Sequence, residues 1–445
     1  MLEQIVDFPT HIKGNCLDLI LTNMPERLYE VTDVGRLGSS DHVMISCSIV
    51  INDDEGDTAK TTINWRKADW DSMRRDMAGV NWSSEFDGKN AHEMWNVFSS
   101  KIGKTVSENA PKRKQLNRGK PAWMNREIKA AINRKRRLWM KAKGGSGVEE
   151  YREADKKVKN MIRSAKRNFE KRLANEKGNN NRPFYAYVKK KTKSRSTIGP
   201  LKDKENRTIT DDKEMAELLN KFFSSVFTRE DVQNVPSAAE MEAPSLETME
   251  ITHKMVQEKI RCLKPASAPG PDGIGPQLLQ ELQKELVPAL VLIFRRSIQN
   301  GEVPEDWKCA YVTPIFKKGS KSDPGNYRPV SLTSVCCKIL ESIIRDTVME
   351  HLLENNLLYQ SQHGFMPRKS CCTNLLEFFE AATKSVDAGN PFDVIFLDFA
   401  KAFDKVPRER LLEKIQAHGV RGNILAWIRE WLTGRQQRVV LNGQS

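Results

Sequence analysis

Residues 394–407 read VIFLDFAKAFDKVP, and Asp398 closes a stretch of four consecutive apolar residues. An unpaired carboxylate in apolar surroundings would take up a proton, so a charged Asp here calls for a cation beside it. Val394, Ile395, Phe396 and Leu397 read as a buried strand, and Lys401, Asp404 and Lys405 as the polar turn after it. Such an Asp can hold a metal ion; it can equally cap the strand end or pair with a lysine. Two cations, Lys317 and Arg328, flank an Asp-Pro-Gly turn at residues 323–325 that can fold them onto one face. A lysine supplies a point charge and an arginine a two-pronged fork, a combination suited to a triphosphate, although basic turns are often only solvated. Near the N-terminus, NCLDLILTN carries Asp18 and GSSDHVMISCSI carries Asp41 and His42, each a polar group set against a strand-like apolar run.

The elements around these residues can be read coarsely. Pro and Gly density in KPASAPGPDGIGPQLL, residues 264–279, predicts a fixed turn leading into a helix over 276–284. Residues 216–227, AELLNKFFSSVF, predict an apolar helix. After Pro407 a helix stops near Gly419, a second runs from about Asn423 to Gly434, and RVVLNG reads as a strand.

The charge is concentrated in one segment. Residues 111–177 hold 23 Lys or Arg against 7 Asp or Glu, a net of +16 that exceeds the +14 of the whole chain and leaves the remainder near neutral at −2. Trp123, Ile128, Ile132, Leu138, Trp139, Val158, Ile162, Phe169 and Leu173 recur at helical spacing, broken at Gly144, Gly145 and Gly147, which predicts a hairpin of two long basic helices. Lys112, Arg113, Lys114, Arg134, Lys135, Arg136 and Arg137 are candidate phosphate contacts; the same charges also fit a solvated helical face. The eight cysteines include no CxxC, and no His stands at zinc-finger spacing, so reduced thiols are expected. No signal segment or charge-free run of membrane length is present, and NRKRR (133–137) and KKKTKSR (189–195) permit nuclear import, so an intracellular protein of cytoplasm and nucleus, with no membrane partner, is expected.

Residues 394–407 closely resemble the first catalytic motif, F-L-D-F-x-K-A-F-D, of reverse transcriptases from non-LTR retrotransposons of the jockey and chicken-repeat type. Residues 312–332 (VTPIFKKGSKSDPGNYRPVSL), SQHGFMPRKS with Gln362, Gly364, Phe365, Arg368 and Ser370, and the G-P-D-G-I of residues 270–274 resemble further motifs of that family in family order. The resemblance implies that Asp398, with the backbone of Phe399, holds Mg²⁺ (or Mn²⁺). It further implies that Lys317, Arg328, Gln362 and Arg368 contact the incoming nucleotide or template, and that Phe403 gates against a ribose 2′-hydroxyl; Phe403 also fits plain core packing. The implied partners are an RNA template, a DNA primer or target and deoxynucleoside triphosphates. The family's G-x-P-Q-G and x-A-D-D segments, which complete its metal site, are not found before Ser445, and Asp53-Asp54 and Asp211-Asp212 lie in polar loops unsuited to replace them.

The N-terminal runs resemble the last two motifs of the apurinic-type endonuclease that precedes the polymerase in such elements. That resemblance implies His42 as the base for an attacking water, Asp18 as its orienter and Asp41 as a support. The expected architecture is α+β: right-hand polymerase fingers and a partial palm, behind a basic helical linker and the C-terminal remnant of an α/β-sandwich endonuclease. Its boundaries are nuclease remnant 1–52, too short for its own core, linker 53–110, basic hairpin 111–177, helical connector 178–248 and polymerase region 249–445, the last alone long enough for a sizeable core. The implied function is RNA-directed DNA synthesis primed at a nicked target; the alternative is an inactive nucleic-acid-binding remnant.

Overall fold

The computed structural model describes residues 2–22, 25, 28–49, 61–114, 121, 123–143, 146–175, 184, 187 and 198–441. Two compact units divide the chain: Met1–Asn52, Ile63–Pro111 and Ile198–Ser445 form the first, and Asp53–Thr62 with Lys112–Thr197 the second. In the N-terminal stretch, strand β1 (Leu28–Arg36) pairs antiparallel with β2 (Val43–Ile49), in a register from Leu28 opposite Ile49 to Arg36 opposite Val43. The run around Asp18 is not the expected strand: only Leu21–Thr22 is extended and paired, and Leu17, Leu19 and Leu21 are exposed. With only Val6 and Thr10 buried among the described residues before 50, this stretch has no core against which a longer strand could lie.

The segment expected to be a linker is instead structural. Residues 53–60 lie outside the described residues, but α1 (Trp70–Ala78), α2 (Trp82–Glu85) and α3 (Ala91–Asn109) follow. Asp69 and Asn81 accept from the first turns of α1 and α2, and Asn90 with Glu93 forms a capping box on α3. Met94, Phe98 and Ile102 recur every four residues, and with Met73, Met77, Trp82, Phe86 and Trp95 they join one core with Phe294 and Trp307. Trp95 is fully buried, its ring centroid 5.2 Å from that of Trp307, and its indole N–H donates to Asp306 at 2.9 Å. The core is therefore not confined to residues after 249.

In the second unit, α4 (Arg126–Lys143) and α5 (Val148–Asn175) form the expected hairpin. Ile128 and Val158 are buried, the Trp139 and Tyr151 rings lie 5.0 Å apart, and Gly147 takes the positive φ of +81° that begins the return helix. Gly144, Gly145, most of 178–197 and the KKKTKSR run lie outside the described residues.

The polymerase-like region follows the sequence reading more closely. Helix α6 (Asp212–Ser225) covers the expected apolar segment, and Asp211 caps it, so this acidic pair starts a helix. Helix α7 (His253–Arg261) leads to the G-P-D-G turn and α8 (Pro276–Glu281), with a break at Leu282 before α9 (Gln283–Asn300), which ends on Gly301 at φ +65°. Strands β3 (Cys309–Phe316), β4 (Tyr327–Leu332) and β5 (Gln436–Val439) form a sheet in the order β4-β3-β5, antiparallel then parallel. Helices α9 and α10 (Val335–Glu354) run through the main core, while Tyr327, Val312 and Val439 meet Leu219 and Phe223 of α6 in a second cluster. Helix α11 (Cys371–Asp387) buries no residue; α12 (Arg408–Ala417), with Pro407 as its N-cap, and α13 (Gly422–Leu432) match the expected C-terminal pair.

Residues 391–399 are not a strand. The run has no regular structure, and Ile395 and Leu397 are 84% and 87% exposed. A strand is stabilised by pairing with a neighbour, and none of the described residues pairs with this run.

Candidate functional site

The β3–β4 pair sets two of the expected nucleotide contacts on one face. In the β3–β4 pair Arg328 lies opposite Ile315, and the pairing continues past the strand end through the Lys317 amide, which donates to the Asn326 carbonyl at 2.8 Å. Side chains two residues apart share a face, so Lys317 lies diagonal to Arg328, on the exposed side that also carries Ile315 and Val330. The turn between them is held by Asp323, which accepts from the Gly325 amide at 2.7 Å.

A second group forms around residues 360–370. Gln362 donates to the Gly364 carbonyl at 3.0 Å, and Phe365 and Arg368 both take φ of +62°, an uncommon conformation for residues with a Cβ. The loop is tied to α11 by His363, whose ring contacts the Thr373 hydroxyl at 2.9 Å and the Glu377 carboxylate at 2.6 Å. Phe365 meets Phe403 edge to face with centroids 6.0 Å apart, so the expected gate residue stands beside this loop and is not packed in the core. Asp398 is exposed, and among the described residues it makes no side-chain hydrogen bond or ion pair. Two Mg²⁺ ions need several anionic oxygens. Among the described residues Asp398 joins no group of three His, Cys, Asp or Glu side chains, so this carboxylate and the Phe399 backbone do not by themselves form that centre.

The N-terminal site is better assembled. His42 Nδ1 lies 2.7 Å from Asp18, which holds the His42 pKa above its ordinary 6.5 and, with the Thr10 hydroxyl, draws the Asp18 carboxyl below its ordinary 3.8. Thr10 is fully buried and also accepts from the amides of Leu17 and Asp18 at 2.8 and 2.9 Å. Asp41 does not touch this pair; it lies 3.2 Å from the Nε2 of His11, and its own backbone amide together with His11 draws its carboxyl down. Sequence reading missed His11. Its only local signal is its place after Thr10 and before the Lys13-Gly14 turn, since its partner is 30 residues away.

On the basic hairpin, Arg134, Arg136 and Arg137 are exposed. Lys135 is not a free phosphate contact: it reaches Asp155 on the facing helix at 2.5 Å, and Lys159 holds the same carboxylate at 2.7 Å. A carboxylate between two helices attracts the nearest cation, and the sequence pattern did not show which Arg or Lys that would be. Lys112 is exposed at the start of a short strand, Lys112–Lys114; the side chains of Arg113 and Lys114 lie outside the described ones.

With a mixed helix and sheet fold and this arrangement of motifs, the comparisons are direct. Residues 315–445 match the family described as reverse transcriptase (RNA-dependent DNA polymerase), and the chain carries a reverse transcriptase domain. Over 307 residues it is 24% identical to "Probable RNA-directed DNA polymerase from transposon BS" of Drosophila melanogaster, covering 66% of this chain and 34% of the relative. It is 25% identical over 301 residues to the polymerase of the same description from transposon X-element of that fly, covering 63% and 32%. A third relative, "Retrovirus-related Pol polyprotein from type-1 retrotransposable element R1" of Bradysia coprophila, is 21% identical over 348 residues, covering 73% and 34%. The resemblance to non-LTR retrotransposon polymerases read from the motifs is met by these relatives, and the chain spans about a third of the length of each. Reverse transcriptases as a family work with divalent metal ions. Among the described residues no helix is long and apolar enough to cross a membrane.

Proposed function

We propose that this chain is the part of a non-LTR retrotransposon RNA-directed DNA polymerase that carries the fingers and the start of the palm, behind a basic hairpin that holds nucleic acid. The observation that carries this reading is the reverse transcriptase match over residues 315–445, which contains Asp398 in its F-L-D-F setting. In this reading Lys317 and Arg328 take the triphosphate, the loop bearing Gln362 and Arg368 lies against template and nucleotide, Phe403 selects deoxyribose and Asp398 gives one carboxylate to a Mg²⁺ (or Mn²⁺) centre. Arg134, Arg136, Arg137 and Lys112 bind the phosphates of an RNA template or DNA target by charge, without reading sequence. Ahead of them, His42 with Asp18 is the proton-accepting pair of an endonuclease segment, because a carboxylate on Nδ1 leaves Nε2 free for a water.

The test is primer extension on an annealed RNA template, using a chimera in which residues 249–445 replace the matching segment of the transposon BS relative. Extension that Asp398→Asn abolishes, while template binding is kept, supports the reading; equal extension by the variant would show that Asp398 is the wrong carboxylate. A second reading, binding of nucleic acid without synthesis, is favoured for the chain by itself by the lone, unstructured position of Asp398.

A further inference from the structure

The basic hairpin carries a cleft of its own. Helix pairs held only by their mutual contacts pack densely and leave few voids larger than a water. Here a cavity of about 600 Å³, in the size range of ligand pockets, opens between the start of α4 and the second half of α5. Two four-residue recurrences on α5 line it: Met161, Ala165 and Phe169 give an apolar stripe, and Ser164, Asn168 and Arg172 a polar one beside it. Ala165 is the small member of the apolar stripe and leaves the room. From the α4 side comes Trp123, half-buried in the turn before the helix, where Asn125 caps the first turn by accepting from the Ile128 amide at 2.8 Å. Both rings already meet cations. The Lys166 ammonium lies 5.1 Å from the centre of the Trp123 ring, and the Arg172 guanidinium 5.5 Å from that of Phe169.

We propose that this cleft takes one unpaired base of a single-stranded nucleic acid, stacked on Trp123, while the surrounding cations hold the phosphates on either side of it. The proposal rests on the nucleic-acid role given to the hairpin above and adds a contact that charge alone does not make. Two properties met together select the occupant. The net +16 of residues 111–177 selects a polyanion, and an aromatic wall with a polar stripe beside it selects a polyanion whose units carry flat π faces. An acidic peptide supplies the charge without a ring on each unit. Every base has such a face, so the contact tolerates any sequence. It does not tolerate pairing: a base enters the cleft from a duplex only by giving up the pairing and stacking that hold it there, so single strands are favoured over double.

Fluorescence anisotropy of the 445-residue chain with oligothymidylate, oligouridylate and abasic strands of equal phosphate count tests this. Each base-bearing strand should bind about 5- to 100-fold tighter than its abasic counterpart, and the larger lead names DNA or RNA as the natural strand. Trp123→Ala should erase that lead, and so should Ala165→Met, which fills the cleft without altering charge. Both should keep the salt slope of the parent, because the phosphate contacts remain, and Trp123→Phe should restore most of the lead. Should a variant lose its fold by circular dichroism, the parent chain decides: irradiation with an iodouracil-bearing strand must link that base to Trp123 or to the facing stripe of α5. Equal binding of base-bearing and abasic strands, a lead that survives undiminished in folded Ala165→Met, or links formed only outside residues 123–172 would each overturn the proposal and leave the phosphate role of the hairpin intact. Binding of no strand at all would remove both.

Discussion

Residues 10–43 and residues 392–406 carry comparable claims to chemistry, yet they are built differently. The first has little core, but its side chains are fully engaged: Thr10, Asp18 and His42 form one chain of contacts, and His11 and Asp41 another. The second carries the most distinctive motif in the chain and stands open, with Asp398 unpartnered among the described residues and its apolar run in solvent. A site closed by local turns and one bridge can be complete in a short segment. A site built at the end of a central strand depends on neighbours that pair with that strand, so motif strength and structural order need not go together.

Substitutions in each region should break or sharpen that contrast, and the largest effect belongs to neither. Trp95→Ala removes a fully buried ring from the core and should cost about 3–5 kcal/mol, seen as a fall in the denaturant midpoint. An effect under about 1 kcal/mol would mean that this part of the expected 53–110 linker adds little to the core. On the hairpin, joint Arg134→Ala, Arg136→Ala and Arg137→Ala should weaken binding to unrelated RNA and DNA probes alike and flatten its salt dependence by up to about 3 in logarithmic slope. Lys135→Ala should leave that slope nearly unchanged and instead loosen α4 from α5, because its charge faces Asp155.

In the N-terminal site, Asp18→Asn should lower the His42 pKa, read from ring proton shifts. The signs follow from the pair itself. His42 is raised, so its share of stability is present below pH 6.5 and lost as pH rises through its folded value; Asp18 is lowered, so its share is present above pH 3.8 and lost as pH falls through its folded value. Both shares are thus fully present between pH 3.8 and 6.5, and an unchanged His42 titration in Asp18→Asn would dissolve the pair. The smallest effect is expected at the open motif: Leu397→Ala should change stability by no more than about 0.5 kcal/mol while reducing self-association in sedimentation. A loss of several kcal/mol would show that the run is buried after all.

What the sequence made legible divides along the same line. The hairpin, α6, the β3–β4 turn and the final helices follow from periods, caps and turn residues that act within a few positions. The Asp18 and His42 contact was readable because each lies in a run of familiar pattern, whereas the His11 contact with Asp41 depends on a bridge across 30 residues that no local pattern encodes. The helices of residues 65–110, within the expected linker, carry their signal in the four-residue recurrence of Met94, Phe98 and Ile102, while the core partners Phe294 and Trp307 lie about 200 residues away. The 394–398 run was misread because apolar content fixes a preference for burial, whereas a strand also needs a partner.

The parallel pairing of β5 with β3 sets the order in which this region can be built. Cys309 meets Gln436 and Val312 meets Val439, so as the chain leaves the ribosome the outer edge of β3 waits through more than a hundred residues of synthesis before its partner emerges. At about 5–20 residues per second that interval lasts several seconds or longer, with Ala310 and Val312 on a strand that has β4 on one edge and nothing yet on the other. Co-translational chaperone occupancy of ribosome-bound chains should therefore rise once β3 is exposed and fall only after residue 439 has cleared the exit tunnel.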